Sequence, residues 1–91
     1  MPGEVERFIR IQRLEGDVWH TIENGFRIRV WETSSADTGD GTRRVLFHIA
    51  FLKGVARGQR ITYLGSHFDL LEVSDSRRLV GLELRCVPAP Q

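Results

Sequence analysis

The sequence predicts an all-β fold, a small β-barrel or sandwich of about seven strands with one long mobile loop over residues 33–42. Three observations carry that expectation. Strong helix formers are scarce: there are four alanines (Ala36, Ala50, Ala56, Ala89) and one lysine (Lys53), while Val, Ile, Thr and Phe are plentiful. Ala and Lys lose little rotamer freedom in a helix, whereas β-branched and aromatic side chains fit a pleated, half-buried surface. Apolar residues recur with period two rather than the helical period. Nine glycines break the chain at short intervals, and turn signals recur at the ~8–12-residue spacing of sandwiches and barrels.

Each element has its own justification. Phe8–Arg13 alternates Ile9 and Ile11 against Arg10 and Gln12, a half-buried strand, and Glu15-Gly16-Asp17 is turn chemistry. Val18–Ile22 follows, with Val18, His20 and Ile22 on one face and Trp19 on the other. Asn24-Gly25 is a hairpin signal, because both residues accept positive φ. Phe26–Glu32 then sets Phe26, Ile28 and Val30 inward and Arg27, Arg29 and Trp31 outward. Thr33–Thr42 has no bulky apolar residue to bury, hence the mobile loop. Arg43–Leu52 is apolar on both faces, with Val45, Phe47, Ile49 and Phe51 on one and Leu46, His48, Ala50 and Leu52 on the other, as in a central or covered strand. Lys53–Gln59 is a turn region with room for one helical turn at Gly54–Gln59. Arg60–Leu64 and His67–Val73 read as a hairpin across Gly65-Ser66. Ser74–Arg77 turns the chain, Leu79–Val87 sets Val80, Leu82, Leu84 and Cys86 inward, and the prolines after it end pairing.

Size and charge narrow the function classes. Ninety-one residues allow one domain, 1–91, with an ordinary globular balance of 41% hydrophobic and 27% charged residues. A formal charge of +1 gives no polybasic tail for tight, sequence-independent polyanion binding. No apolar run approaches the ~18 residues of a membrane span. Met1-Pro2-Gly3-Glu4 opens without the apolar stretch of a secretory signal, and the lone Cys86 has no internal disulfide partner. The expectation is a small domain of a reducing compartment, with no membrane association. Arginine outnumbers lysine heavily, which reflects either a GC-rich genome or a surface making planar, bidentate contacts.

Catalytic chemistry finds no support. His20, His48 and His67 fall on three predicted strands without metal-ligand spacing, and Cys86 faces inward as a small hydrophobe. Gly39-Asp40-Gly41 and Gly54-x-x-x-Gly58 lack the Lys-Ser/Thr and helix of a phosphate cradle, and Asp37 and Asp40 lack the rest of a calcium loop. The expectation is no enzyme, no catalytic residues, no metal and no cofactor. Two binding classes stay open. Arg27 and Arg29 interleaved with Phe26, Ile28 and Trp31, together with Arg43-Arg44, Arg57, Arg60 and Arg77-Arg78 at strand ends, fit an OB-like or SH3-like nucleic-acid surface. The same arginines also fit cross-strand pairs with Glu32, Glu72 and Glu83. Trp19, Trp31, Leu46 and His48 are candidates for a subunit interface, against the alternative that the two tryptophans stack within the barrel.

The second half of the chain resembles a known pattern. Arg44-Val45-Leu46-Phe47-His48-Ile49-Ala50-Phe51 is followed by Gly58-Gln59-Arg60-Ile61-Thr62-Tyr63-Leu64-Gly65, then His67–Val73, then Leu79-Val80-Gly81-Leu82-Glu83-Leu84-Arg85-Cys86. This is similar to the head–tail joining (head-closure, or stopper) family of tailed phages, prophages and gene transfer agents. Phe8–Arg13 resembles the family's opening strand, and Trp19 with Val30-Trp31 its second landmark. Two departures stand out: Glu32 replaces the usual Ala, and the segment between Trp31 and Arg43 is shorter. The resemblance spans roughly Arg7–Val87. It implies a non-enzymatic, homo-oligomeric ring in the virion, assembled in the host cytoplasm, with portal and adaptor proteins above and tail-terminator proteins below. Double-stranded DNA would pass through the channel. The channel loop would carry Ser34, Ser35, Asp37, Asp40, Arg43 and Arg44, its acids repelling phosphate rather than gripping it. A tail-terminator subunit would show the same profile.

Overall fold

The computed structural model describes residues 7–37, 39, 41, 43–75 and 80–90. These form seven strands: β1 (Phe8–Glu15), β2 (Val18–Thr21), β3 (Ile28–Asp37), β4 (Arg43–Ile49), β5 (Arg60–Tyr63), β6 (Ser66–Asp75) and β7 (Leu82–Pro88). The sheet runs β2-β1-β3-β4-β7-β6-β5, all antiparallel, and β1 also pairs with β5. That last pairing closes β1, β3, β4, β7, β6 and β5 into a six-strand barrel, with β2 as the extra strand. The all-β expectation and the strand count hold, and closure selects the barrel over the sandwich.

Inward positions build one core. Ile9 and Ile11 from β1, Val45, Phe47 and Ile49 from β4, Ile61 from β5, Leu70 from β6, and Leu82, Leu84 and Cys86 from β7 are all buried. Phe47 is at the centre, with the Tyr63 ring 5.1 Å away edge-on and the Phe68 ring 5.7 Å away. Each such side chain contributes about 1.5–3 kcal/mol by leaving water. Ile22 plugs the region beside β1, and Gly25 approaches it so closely that a Cβ at Gly25 would lie 2.4 Å from Ile22 Cγ1.

Several boundaries differ from expectation. Thr33–Asp37 is not loop: it continues β3 and pairs residue for residue with Phe47–Arg43 of β4. A polar segment forms a strand here because its partner is a few residues away across a hairpin, so cross-strand bonding replaces apolar burial. Asn24-Gly25 does not join a paired hairpin, since β2 and β3 lie end to end along the same edge of β1. The Ile11 N–H donates to the Gly25 carbonyl (2.8 Å) and the Ile11 carbonyl accepts from the Ile22 N–H (3.1 Å), pinching Glu23-Asn24 outward. Val18 and His20 lie exposed on the projecting β1–β2 hairpin, and the strand ends at Thr21, short of the buried Ile22. Phe26 is exposed rather than inward, because Arg27 takes a left-handed φ of 56° and delays β3 to Ile28. β4 ends at Ile49, leaving Phe51 exposed, and β7 starts only at Leu82, leaving Val80 95% exposed. The β5–β6 turn is Leu64-Gly65, one residue earlier than expected, and Gly54–Gln59 holds no helical turn. Instead the Gln59 amide ties that segment, donating to the Gly54 carbonyl and accepting from the Ala56 N–H. Pairing also runs past the expected stop, with Pro88 opposite Phe68. Asp40, Arg77, Arg78 and Leu79 lie outside the described residues.

Gly81 sits where β7 meets the end of β4, with φ 151° and a would-be Cβ 2.0 Å from the Ile49 carbonyl oxygen. Gly81→Ala is therefore expected to cost about 2–4 kcal/mol in urea unfolding, through strain and backbone collision together. Gly58 (φ 92°) faces open space, so Gly58→Ala should cost only the strain, about 1–2 kcal/mol. Equal losses at both sites would exclude the steric account.

Candidate assembly surfaces

The β3–β4 hairpin leaves the barrel as an arm. Val30 still donates its N–H to the Arg7 carbonyl (2.8 Å), but beyond it no strand among the described residues pairs with the far edge of Trp31–Asp37. Arg43 and Arg44 likewise pair only with β3. The predicted channel residues thus divide by face. Ser35 and Asp37 share the side of Val45 and Arg43, and the Arg43 guanidinium donates to the Ser35 hydroxyl at 3.4 Å. Ser34 lies on the opposite side with Leu46 and Arg44, bordering a groove of about 390 Å³ that Arg85 also lines. Thr33 faces Phe47, and its buried hydroxyl has no partner among the described residues. An exposed strand edge that is short and polar resists promiscuous pairing while keeping its N–H and C=O groups available to a matched strand.

The interface candidates behave differently from one another. Trp31 faces outward as expected, 59% exposed, and is the extra residue of a bulge between Val30 and Glu32 that leaves Glu32 facing outward beside it. Trp19 is half-buried beneath the Arg60 guanidinium, 4.1 Å from its ring, so the two tryptophans do not stack on each other. Leu46 is half-buried on the outer face. His48, also outward by register, is buried, and its Nε2 lies 3.7 Å from a Glu83 carboxylate oxygen. Arg85, not among the arginines singled out in the sequence, meets Glu72 across the strands (3.4 Å) and Glu83 along its own strand (3.3 Å).

A second surface escaped sequence reasoning. Outward from β1 and β5, three guanidiniums lie over aromatic rings: Arg10 over Phe26 (4.6 Å), Arg27 over Phe8 (4.4 Å) and Arg60 over Trp19 (4.1 Å). The first two pairs, with the exposed Leu64, border a groove of about 410 Å³ that no carboxylate lines. The interleaved Arg and Phe residues were the available signal. Arg60 meets Trp19 because β1 closes on β5, and the other two pairs form because the chain entering β3 lies along the opposite edge of β1.

Among the described residues no group of three His, Cys, Asp or Glu is placed to hold a metal ion. Both surfaces are chemically suited to contact: fixed guanidiniums, carboxylates, exposed apolar side chains and an open strand edge. No family model matches the chain, and no curated protein or solved structure is significantly similar to it.

Cys86 is buried in the core, and desolvation, with the Asp69 carboxylate second, pushes its thiol up to about 12. The folded state therefore holds the thiol proton more tightly than the unfolded state. That contribution is complete below the ordinary thiol value of 9.0 and is lost as pH rises from there toward about 12. Stability measured by urea unfolding should fall across this window in the native chain and fall less steeply in Cys86→Ala. Parallel slopes would disprove the assignment.

Proposed function

We propose that this chain is a structural, non-enzymatic head–tail connector subunit of the head-closure (stopper) kind, working without metal or cofactor. Copies form a ring between portal and adaptor proteins above and tail-terminator proteins below, in a tailed phage or phage-like particle, with double-stranded DNA passing through the channel. The observation that carries this reading is the arm. A closed barrel hides its strand edges, and here one polar hairpin runs on past the barrel with its β3 edge open among the described residues. Such an edge suits a subunit completed by other copies. The resemblance of Arg44–Phe51, Gly58–Gly65 and Leu79–Cys86 to the head–tail joining family supports the same reading. The arm's composition agrees: Ser34, Ser35 and Asp37 offer small polar side chains that let a duplex pass without gripping it. Exposed apolar residues lie near both ends of the barrel, Phe51 and Val80 beside the β4–β7 end and Leu64 at the β5–β6 turn, as a subunit held between two layers requires.

A second reading, an OB-like or SH3-like nucleic-acid-binding domain, draws on the Arg–aromatic face of β1 and β5. Micromolar oligonucleotide binding with a steep salt slope would favour it. The deciding experiment is electron microscopy of the source particles. The connector reading expects a ring of this protein at the head–tail junction, and its absence from every particle rejects the reading. Deleting Asp37–Gly41 shortens the arm and leaves the β4–β7 pairing of Val45–Ile49 untouched. The thermal midpoint should stay within about 4 °C of the native value while filled heads lose their DNA. Normal retention in that variant would exclude a gating role for the arm and leave the ring role standing.

A further inference from the structure

We infer that neighbouring copies meet through two unlike faces of the barrel. The Arg–aromatic face of β1 and β5 docks on the acidic outer face of β4, β7 and β6 of the next copy, with Arg10 directed to Glu72. The inference rests on the ring reading and names the contact that would build the ring.

The strand order sets the geometry. Around the closed barrel β7 is three strands from β1 in either direction, and β4 is three from β5. β6, which carries Glu72, is next to β5 and two strands from β1, so the two outer faces are distinct and turned away from each other at β4 and β7. Ile9, Ile11 and Ile61 turn inward, which places Arg10, Arg60 and Thr62 outward. Phe47, Leu84, Cys86 and Leu70 turn inward, which places Leu46, Glu83, Arg85 and Glu72 outward. Charge divides along the same line. The first face carries Arg10 and Arg27, whose groove no carboxylate lines, and Arg60 beside it, which has Asp69 opposite on β6. The second sets Glu32, Glu72 and Glu83 around Arg85, which Glu72 and Glu83 already engage, and Arg44 lines one pocket with Leu71, Glu72 and Arg85, so acids outnumber bases there by one.

The chain thus contains its own complement, and its net charge of +1 conceals two oppositely charged sides. A guanidinium lying over an aromatic ring keeps its N–H edge for a carboxylate and loses less freedom on binding one. Glu72 has the most exposed carboxylate on the second face, 59% accessible. Apolar neighbours supply the centre of the contact: Phe26 and Leu64 on one side, Leu46 and Leu71 on the other. Unlike patches on different faces form a heterologous contact, which closes into a ring when the rotation allows.

Charge exchange tests this in the full chain, with self-association followed by sedimentation velocity at low salt. Arg10→Glu and Glu72→Arg should each weaken association by about tenfold or more, with thermal midpoints near native. The double variant R10E/E72R and an equimolar mixture of the two single variants should both restore association. Wild-type association should itself weaken as salt rises. The inference is overturned if the single variants associate normally, if neither the double variant nor the mixture recovers, or if the wild type stays monomeric at millimolar concentration. Saturable oligonucleotide binding lost in R10E would also overturn it, by assigning the face to nucleic acid. A ring seen at the head–tail junction with other faces in contact would reject this interface while the connector reading stands.

Discussion

Four residue pairs between β1 and β5, from Ile9–Tyr63 to Gln12–Arg60, turn a seven-strand sheet into a barrel. Without them Ile9, Ile11 and Ile61 would face water from two open edges, and Tyr63 would not be held against Phe47. β1 serves three partners at once: β5 on one edge, and β2 and the start of β3 in succession on the other. The Ile11 backbone is the pivot of that succession, accepting from Ile22 and donating to Gly25. The outer face depends on the same closure, since Arg60 reaches Trp19 only because β5 lies against the strand that carries the β1–β2 hairpin.

What was legible in the sequence follows from where apolar alternation and pairing coincide. In β1, β4 and β7 inward residues must be apolar to fill the barrel, so Ile9, Ile11, Val45, Phe47, Leu82, Leu84 and Cys86 announce themselves. At strand ends alternation continues in the sequence after pairing has stopped. Phe26, Phe51 and Val80 keep the rhythm but lie outside the ladder, the first cut off by the left-handed Arg27 and the last by Gly81 against Ile49. The opposite failure occurs in β3. Thr33–Asp37 has no apolar alternation, yet pairs fully because β4 returns beside it. Polarity there reports exposure to solvent, not absence of structure.

The assembly surfaces were legible in kind and not in arrangement. Arginine, aromatic and acidic residues are visible in any count, but their charges sum to nearly nothing, and which of them share a face appears only once the strand order is known. Bulges add a second layer of concealment. One extra residue at Trp31 and one at Leu71 leave Glu32 and Glu72 facing out beside them and invert the alternation of all that follows.

The position of β7 has a consequence for synthesis. It is the last of the seven strands in the chain, yet it lies between β4 and β6. Until residues 82–88 have been made, the facing edges of β4 and β6 stay unpaired and the core lacks Leu82, Leu84 and Cys86. A nascent chain can form its β1–β2 and β3–β4 hairpins early, because their partners are local, but closing the core must await the final insertion. The outer face that carries Glu83 and Arg85 appears at the same step. Folding order thereby acts as a timer, holding back both core and outer face until the last strand is in place.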